Sequence, residues 1–182
     1  MNYEINIRAL ELDDYKTTIN WRKEDAVWDN FIGAKRYVSS DTEKRWIESA
    51  IIEHEKGLRY RFGICIKDSC VLVGLFTVSN LDYINNNCET SIIIDSKYRN
   101  SNIFYASHDL VLKYIFFQLN MERINARVIS TNKASLIACL TYGFKKEGVL
   151  RKAAYKNGNY VDVILLSMLK EDFIILKNND YE

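Results

Sequence analysis

The stretch DSKYRNSNIFYASHD, Asp95 to Asp109, follows the apolar run Ser91-Ile92-Ile93-Ile94. A strand that ends in a polar loop and then opens a long apolar helix gathers backbone N–H groups at the helix N-terminus, where they can hold an anion. Loops of this kind usually carry glycine, since positive φ and close backbone approach are easiest without a Cβ. This one has none. The other chemistry-bearing side chains exclude more than they suggest. Cys65, Cys70, Cys88 and Cys139 show no C-x-x-C pairing, and only His54 and His108 join them, so no metal site is expected.

The elements that must position the loop follow from the pattern. With 182 residues, 48% hydrophobic and 13% aromatic, the chain suffices for one domain, 1–182, with a real core. A net charge of +1 gives no sign of a nucleic-acid or membrane-surface partner. There is no signal peptide and no apolar stretch near the roughly 20 residues of a membrane span, so a soluble, cytoplasmic protein with free thiols is expected. EINIRALE alternates as a half-buried strand. LDDYKTTINWRKEDAVW predicts one helix entered through Asp13 or Asp14. The next helix starts at a capping box, Ser40 to Glu43, and stops at Gly57. RYRFGICI and VLVGLFTVSNLDY are strands joined at Lys67-Asp68-Ser69, and NNNCETSIIID is another, turned at Asn85-Asn86-Asn87. After the loop, Leu110, Val111, Tyr114, Ile115 and Phe117 lie at core-helix spacing. RINARVIS is a strand and TNKASLIACLTYG a helix stopped by Gly143. GVLRKAAYKNGNYVDVILLSML is a hairpin turned at Asn157-Gly158, and KNNDYE a polar tail. The order is β-α-α-β-β-β-α-β-α-β-β.

That order, with a polar loop after the fourth strand, resembles the GNAT superfamily of acetyl-CoA-dependent N-acetyltransferases, most specifically the ribosomal-protein serine/alanine N-acetyltransferase branch. IRALELDDY, Arg99-Asn-Ser-Asn-Ile-Phe104, Asn132-Lys-Ala-Ser135, Tyr142-Gly-Phe-Lys-Lys-Glu-Gly148 and Asn157-Gly-Asn-Tyr-Val-Asp162 carry the resemblance, from about Ile5 to Leu169. It implies an α/β (α+β) fold with a mixed, mostly antiparallel central sheet and helices on both faces. It also implies acetyl-CoA as co-substrate and no metal. In the family the loop reads Q/R-x-x-G-x-G/A, and its N–H groups bind the pyrophosphate. Arg99 matches the first position and Ile103 the apolar one, with Asn100 and Ser101 between. Asn102 stands where the first glycine belongs, as the non-glycine residue that best tolerates the left-handed region. Phe104 stands where glycine or alanine belongs, and its ring must turn away or crowd the pyrophosphate. Ile92, Ile93 and Ile94 match the strand whose backbone pairs with the pantetheine arm. Asn132 matches a side chain on the same arm.

For catalysis the resemblance implies a serine that protonates the leaving thiolate, at Ser135, and a carboxylate base whose usual place falls on Ala154. The acid tyrosine of other members falls on Cys139. Glu89 is the leading substitute base and Glu147 a poorer one. Tyr142 is expected to pack beneath Gly143-Phe144, and Asp162 to brace the hairpin. Trp28, Phe31 and Tyr37 lie in the loop where the family builds its acceptor pocket, with Asp25 and Asp29 placed to attract a cationic amine. The expected activity is transfer of acetyl to an amino sugar, a protein N-terminus, a polyamine or an antibiotic. Expected partners are that small-molecule or N-terminal amine, with a homodimer as a further option. The rival expectation is a GNAT-like domain without catalysis, serving as a binding or oligomerisation module.

Overall fold

In the computed structural model, which describes residues 1–179, seven strands form one sheet. Their order is β1 (Ile5–Ala9), β2 (Tyr60–Ile66), β3 (Leu72–Asp82), β4 (Asn87–Ile94), β5 (Arg123–Ile129), β7 (Asn159–Leu169) and β6 (Lys145–Lys156). All pairings are antiparallel except β4 with β5, which is the mixed sheet expected. A parallel pair needs a crossover, and α4 (Ile103–Phe117) supplies it. α5 (Lys133–Tyr142) links β5 to β6. α1 (Tyr15–Lys23), α2 (Asp25–Trp28) and α3 (Ser40–Glu55) lie between β1 and β2 in sequence.

Strand alternation divides the core between the two faces. Cys88, Ile92 and Ile94 of β4 pack with Val111, Leu112, Ile115 and Phe116 of α4. Ile93, with Leu75 and Cys65, packs against Trp21 of α1 and Ile47 and Ala50 of α3. The parallel pairing of β4 with β5 runs only from Asn87↔Arg123 to Thr90↔Ala126. Beyond it β4 stays with β3 as far as Ile94, and β5 stays with β7 as far as Ile129. The two central strands therefore part, and the sheet opens between them.

Several sequence expectations change. The first helix is interrupted at Glu24, whose extended backbone (ψ 117°) separates α1 from α2. Its entry is a short 3₁₀ turn, Leu12–Asp14, in which the Asp14 carboxylate accepts from Glu11 N and grips Arg8. The cap of α3 is Ser39, whose Oγ accepts from Thr42 N, so Ser40 to Glu43 is not the capping box. Glu43 is instead buried against Arg22. The buried stripe of α4 is Ile103, Ser107, His108, Val111, Leu112, Ile115 and Phe116, while Leu110 and Phe117 face solvent. In so apolar a helix the polar Ser107 and His108 disguised the true phase. The end of β7 runs on into α6 (Lys170–Asn179), so the first half of the KNNDYE tail is helical and the rest lies outside the described residues. The helix stops at Gly57 and Gly143 and the Lys67–Ser69 turn stand as expected. The turn before β4 comes earlier, at Tyr83–Asn86, where Asp82 binds Ile84 N and Asn85 N. Asn157 and Gly158, at φ 47° and 86°, make the tight hairpin turn. No described helix is long and apolar enough to cross a membrane, no described cluster of residues has the makings of a metal site, and all four cysteines are free.

One close approach supports the open half of β4. A Cβ on Gly74 would lie 2.6 Å from the Ile93 carbonyl oxygen and 3.1 Å from Ile64 Cδ1. Gly74→Ala is expected to cost about 1–3 kcal/mol, the usual range for overpacking. Gly148→Ala, with nothing within 4 Å of its Cβ, should stay within about 0.5 kcal/mol. Urea unfolding of the two variants checks the contrast; equal losses would contradict it.

Candidate active site

The parting of β4 from β5 leaves backbone groups without a strand partner. Asp95 N donates to Val73 O, which fixes the phase of the antiparallel ladder between β3 and β4. By alternation, Ser91 and Ile93 turn their N–H and C=O groups to β3, and Ile92 and Ile94 turn theirs to the open side. The Ile92-Ile93-Ile94 trio thus divides. Ile92 and Ile94 offer a cleft their polar backbone, whereas Ile93 gives its backbone to the sheet and its side chain to the α1–α3 face. The cleft is a cavity of about 330 Å³ whose walls include Ile92, Ile94, Phe104, Tyr105, Asn132 and Ser135.

Arg99, Asn100 and Ser101 line the same cavity. Positive φ falls on Asn100 (60°), whereas Asn102 is right-handed (φ −72°), so Asn102 does not replace glycine in the expected way. Its amide instead brackets the start of the chain: Oδ1 accepts from Tyr3 N at 2.8 Å and Nδ2 donates to Tyr3 O at 3.0 Å. Ile103 is fully buried, and its N–H turns to Ser101 Oγ. The N–H groups of Asn100, Ser101, Asn102, Phe104 and Tyr105 find no acceptor among the described residues, as helix N-termini leave them. Phe104 does not stand up into the loop. Its ring lies on His108, with centroids 4.0 Å apart, and forms cavity wall.

A second cavity, about 220 Å³, adjoins the cleft and brings Glu89, Ser135, Asn132, Cys139 and His108 together. Glu89 accepts from Arg127 Nε at 2.8 Å and from Asn80 Nδ2 at 3.2 Å. Asn132 caps α5 through Ser135 N and donates to Asn30 O. Burial pushes the Cys139 thiol up to about 11, against a smaller opposing effect of the Ser135 hydroxyl, so it stays protonated. His108 donates from Nδ1 to Phe104 O at 2.7 Å, and burial holds its pKa down to about 4. Ala154, Glu147, Tyr142 and Asp162 are not in the walls of these two cavities. Ala154 is buried with Ile129 and Val163. Glu147 holds Arg123 and accepts from Ser167 Oγ, which lowers its pKa. Tyr142 gives its hydroxyl to Asp109 at 2.6 Å, and Asp162 accepts from Lys152 N, bracing the hairpin.

Sequence reasoning missed a third cavity, about 290 Å³, between α1, α3 and the strands β2 to β4. It meets the cleft at Val27, Phe31 and Ile93, and meets the Glu89 cavity at Phe31 and Ser91. Its walls include Trp28, Trp46, Arg22, Arg59 and Arg61. Asp25 and Asp29 are not in it. Asp25 pairs with Lys35, Asp29 accepts from Asn157 Nδ2, and both line a separate hollow beside the Asn157-Gly158 hairpin. Trp28 is core, Phe31 is the junction of the three cavities, and Tyr37 is exposed. Arg59 and Arg61 stand two apart where β2 begins, but Arg22 lies far off on α1, so no local spacing announced the three together.

The chain matches the family described as "Acetyltransferase (GNAT) domain" over residues 7–165. It is 29% identical over 174 residues to the probable N-acetyltransferase YjcK of Bacillus subtilis, covering 92% of this chain and 95% of that one. It is 26% identical over 175 residues to a spermidine N(1)-acetyltransferase of Vibrio cholerae, covering 96% and 98%. In fold it is similar to the Vibrio cholerae spermidine N-acetyltransferase crystallised with CoA and spermine. That likeness has a TM-score of 0.85 at 23% identity, over 93% of this chain and 98% of that chain.

The buried imidazole gives a pH signature. His108 is neutral when folded and titrates near 4, against about 6.5 when unfolded, so its contribution is complete above the unfolded value and is lost as pH falls through the folded one. Between pH 7 and pH 5 this group should cost the protein about 2 kcal/mol. His108→Gln should lose about that much less over the same interval in urea unfolding. Parallel curves for variant and parent would contradict the assignment.

Proposed function

This chain belongs to the GNAT acetyltransferase family, whose members use acetyl-CoA, and we propose that it moves an acetyl group from acetyl-CoA to the nitrogen of a primary amine by direct attack. The observation that carries the proposal is the open edge of β4 beside the unpaired N–H groups that start α4. A strand edge without a strand partner suits an amide-bearing arm, here with the Ile92 N–H and C=O and the Ile94 N–H open and Ile94 O accepting from Arg99 Nε at 3.4 Å, and a helix N-terminus suits a pyrophosphate. Arg99, at the rim, adds a charge to the amides of Asn100, Ser101, Asn102, Phe104 and Tyr105. The thioester supplies an activated acetyl group. The residues of the chain must then hold the carbonyl, receive the amine and manage two protons.

The roles proposed follow the cavities. Ile92 N–H faces the cleft and is the donor for the oxygen that becomes an oxyanion. The amine enters beside Phe31 and Ser91, where the third cavity meets the second. Its nitrogen forms the new C–N bond as the C–S bond breaks. Glu89, two residues from Ser91 on the same strand face, takes the amine's proton. Ser135 hydroxyl relays a proton to the departing thiolate and takes one back from solvent, to which Glu89 releases the proton it took from the amine. Asn132 steadies this end of the cleft by capping α5 and holding Asn30.

Thiol release tests the activity: acetyl-CoA with a primary amine should free CoA, and acetyl-CoA alone should not. Binding of acetyl-CoA without thiol release across an amine panel would favour the binding module instead. Glu89→Gln should lower turnover by about 10² to 10⁴-fold and flatten the acid limb of the pH–rate profile, the pattern of a lost general base. An unchanged profile would remove Glu89 from the mechanism. Ser135→Ala should slow turnover with an almost unmoved melting temperature; an equal rate would leave its place on the first turn of α5 as its only role.

A further inference from the structure

The third cavity has the wrong charge for a polycation. Of its lining residues, Arg22, Arg59 and Arg61 are cationic and Glu43 alone is acidic. Glu43 is spent, since Arg22 Nε contacts both its oxygens at 3.0 and 3.3 Å. Glu53, outside the lining, serves both Arg59 and Arg61. Three guanidiniums therefore share two carboxylates. Burial lowers the pKa of Arg61 in spite of Glu53, which means that one carboxylate does not repay its desolvation. Arg22 binds Glu43 through Nε alone, leaving both terminal nitrogens without a hydrogen bond among the described residues. Its guanidinium lies over the Trp46 ring at 4.8 Å, and that of Arg61 lies over the same ring at 5.2 Å. Thr18 adds an independent sign. It is 2% exposed and lines this cavity, and its Oγ1 is a buried hydroxyl without a partner among the described residues.

We propose that the acceptor is a primary amine carrying an anionic group, a carboxylate or a phosphate, and that Arg22, Arg59 and Arg61 receive that group. This rests on the acetyl-transfer reading above and names the substrate class of the same site. The register supports the distance. Arg61 pairs with Thr77, and Thr77 with Ser91, so the three lie in one row across the sheet. Two strand spacings, roughly 10 Å, separate the backbone of Arg61 from that of Ser91, where the amine enters. The arginine side chain spans part of that gap and the acceptor's body the rest, between Trp28, Trp46 and Phe31. A polyamine would place each additional charge against guanidinium, with no unpaired carboxylate on the walls to answer it.

Calorimetry on the full chain, with and without CoA, tests this with matched amines. The probes are glycylphenylalanine and its amide, phosphoethanolamine and ethanolamine, and spermidine. At least one anionic probe should bind tenfold or more tighter than its neutral counterpart, and the probe that does so separates a carboxylate from a phosphate site. Spermidine should give no heat. Arg59→Glu, at a half-exposed position where folding is safe, should weaken the anionic probe about 10- to 100-fold. Equal binding of charged and neutral partners, tighter binding of spermidine, or silence from every probe would overturn the inference. Absence of heat from acetyl-CoA would overturn the acetyl-transfer reading instead, and the amine preference is still read from the titrations without CoA.

Discussion

Everything at this site depends on four residues of parallel pairing that then stop. β4 and β5 share a ladder from Asn87↔Arg123 to Thr90↔Ala126, and each then follows its outer neighbour. A continuous ladder would consume the polar edge of Ile92 and Ile94 and would leave no space between the strands. The split instead opens the sheet where the helix-lined face and the α1–α3 face can communicate. Phe31, touching all three cavities, sits at that passage.

Such an opening needs bracing, and the braces are polar contacts between parts far apart in sequence. Trp21 Nε1 donates to Asp95 at 2.9 Å, fastening α1 to the start of the loop. Asn102 holds the backbone of Tyr3, and Asn132 holds Asn30. Lys156, beside the hairpin turn, donates to the carbonyls of Trp28 and Gly33. Partial burial lowers its pKa, yet it ties the segment after α2 to the far edge of the sheet. The loop's missing glycines are understandable on these terms. Asn100 takes the positive φ, and Asn102 exchanges backbone freedom for a fixed position.

The strands, their succession along the chain and the crossover were legible because strand alternation, turn residues and helix stops are local signals. The Asn157-Gly158 turn and the Gly57 and Gly143 stops are examples. What escaped was set by tertiary contact. Glu43 looked like half of a cap and is a buried partner of Arg22; His108 was not among the residues read as core and belongs to the core stripe of α4. The loop, the strand before it, Ser135 and Asn132 were singled out by motif, and the fold lines two adjoining cavities with them. The arginine-lined cavity was not, since Arg22, Arg59 and Arg61 meet only once α1 crosses the sheet. Asp25 and Asp29, expected beside the acceptor pocket, line a separate hollow by the Asn157-Gly158 hairpin rather than the arginine-lined cavity.

The central claim is that the parted strands and the first turn of α4 form one cofactor site. Amide hydrogen exchange with and without acetyl-CoA tests it most directly. The account predicts slowed exchange at Ile92 and Ile94 and at Asn100 to Tyr105, with Ser91 and Ile93, already bonded to β3, little changed. Protection confined to other segments, or none in these two at saturating acetyl-CoA, would contradict it.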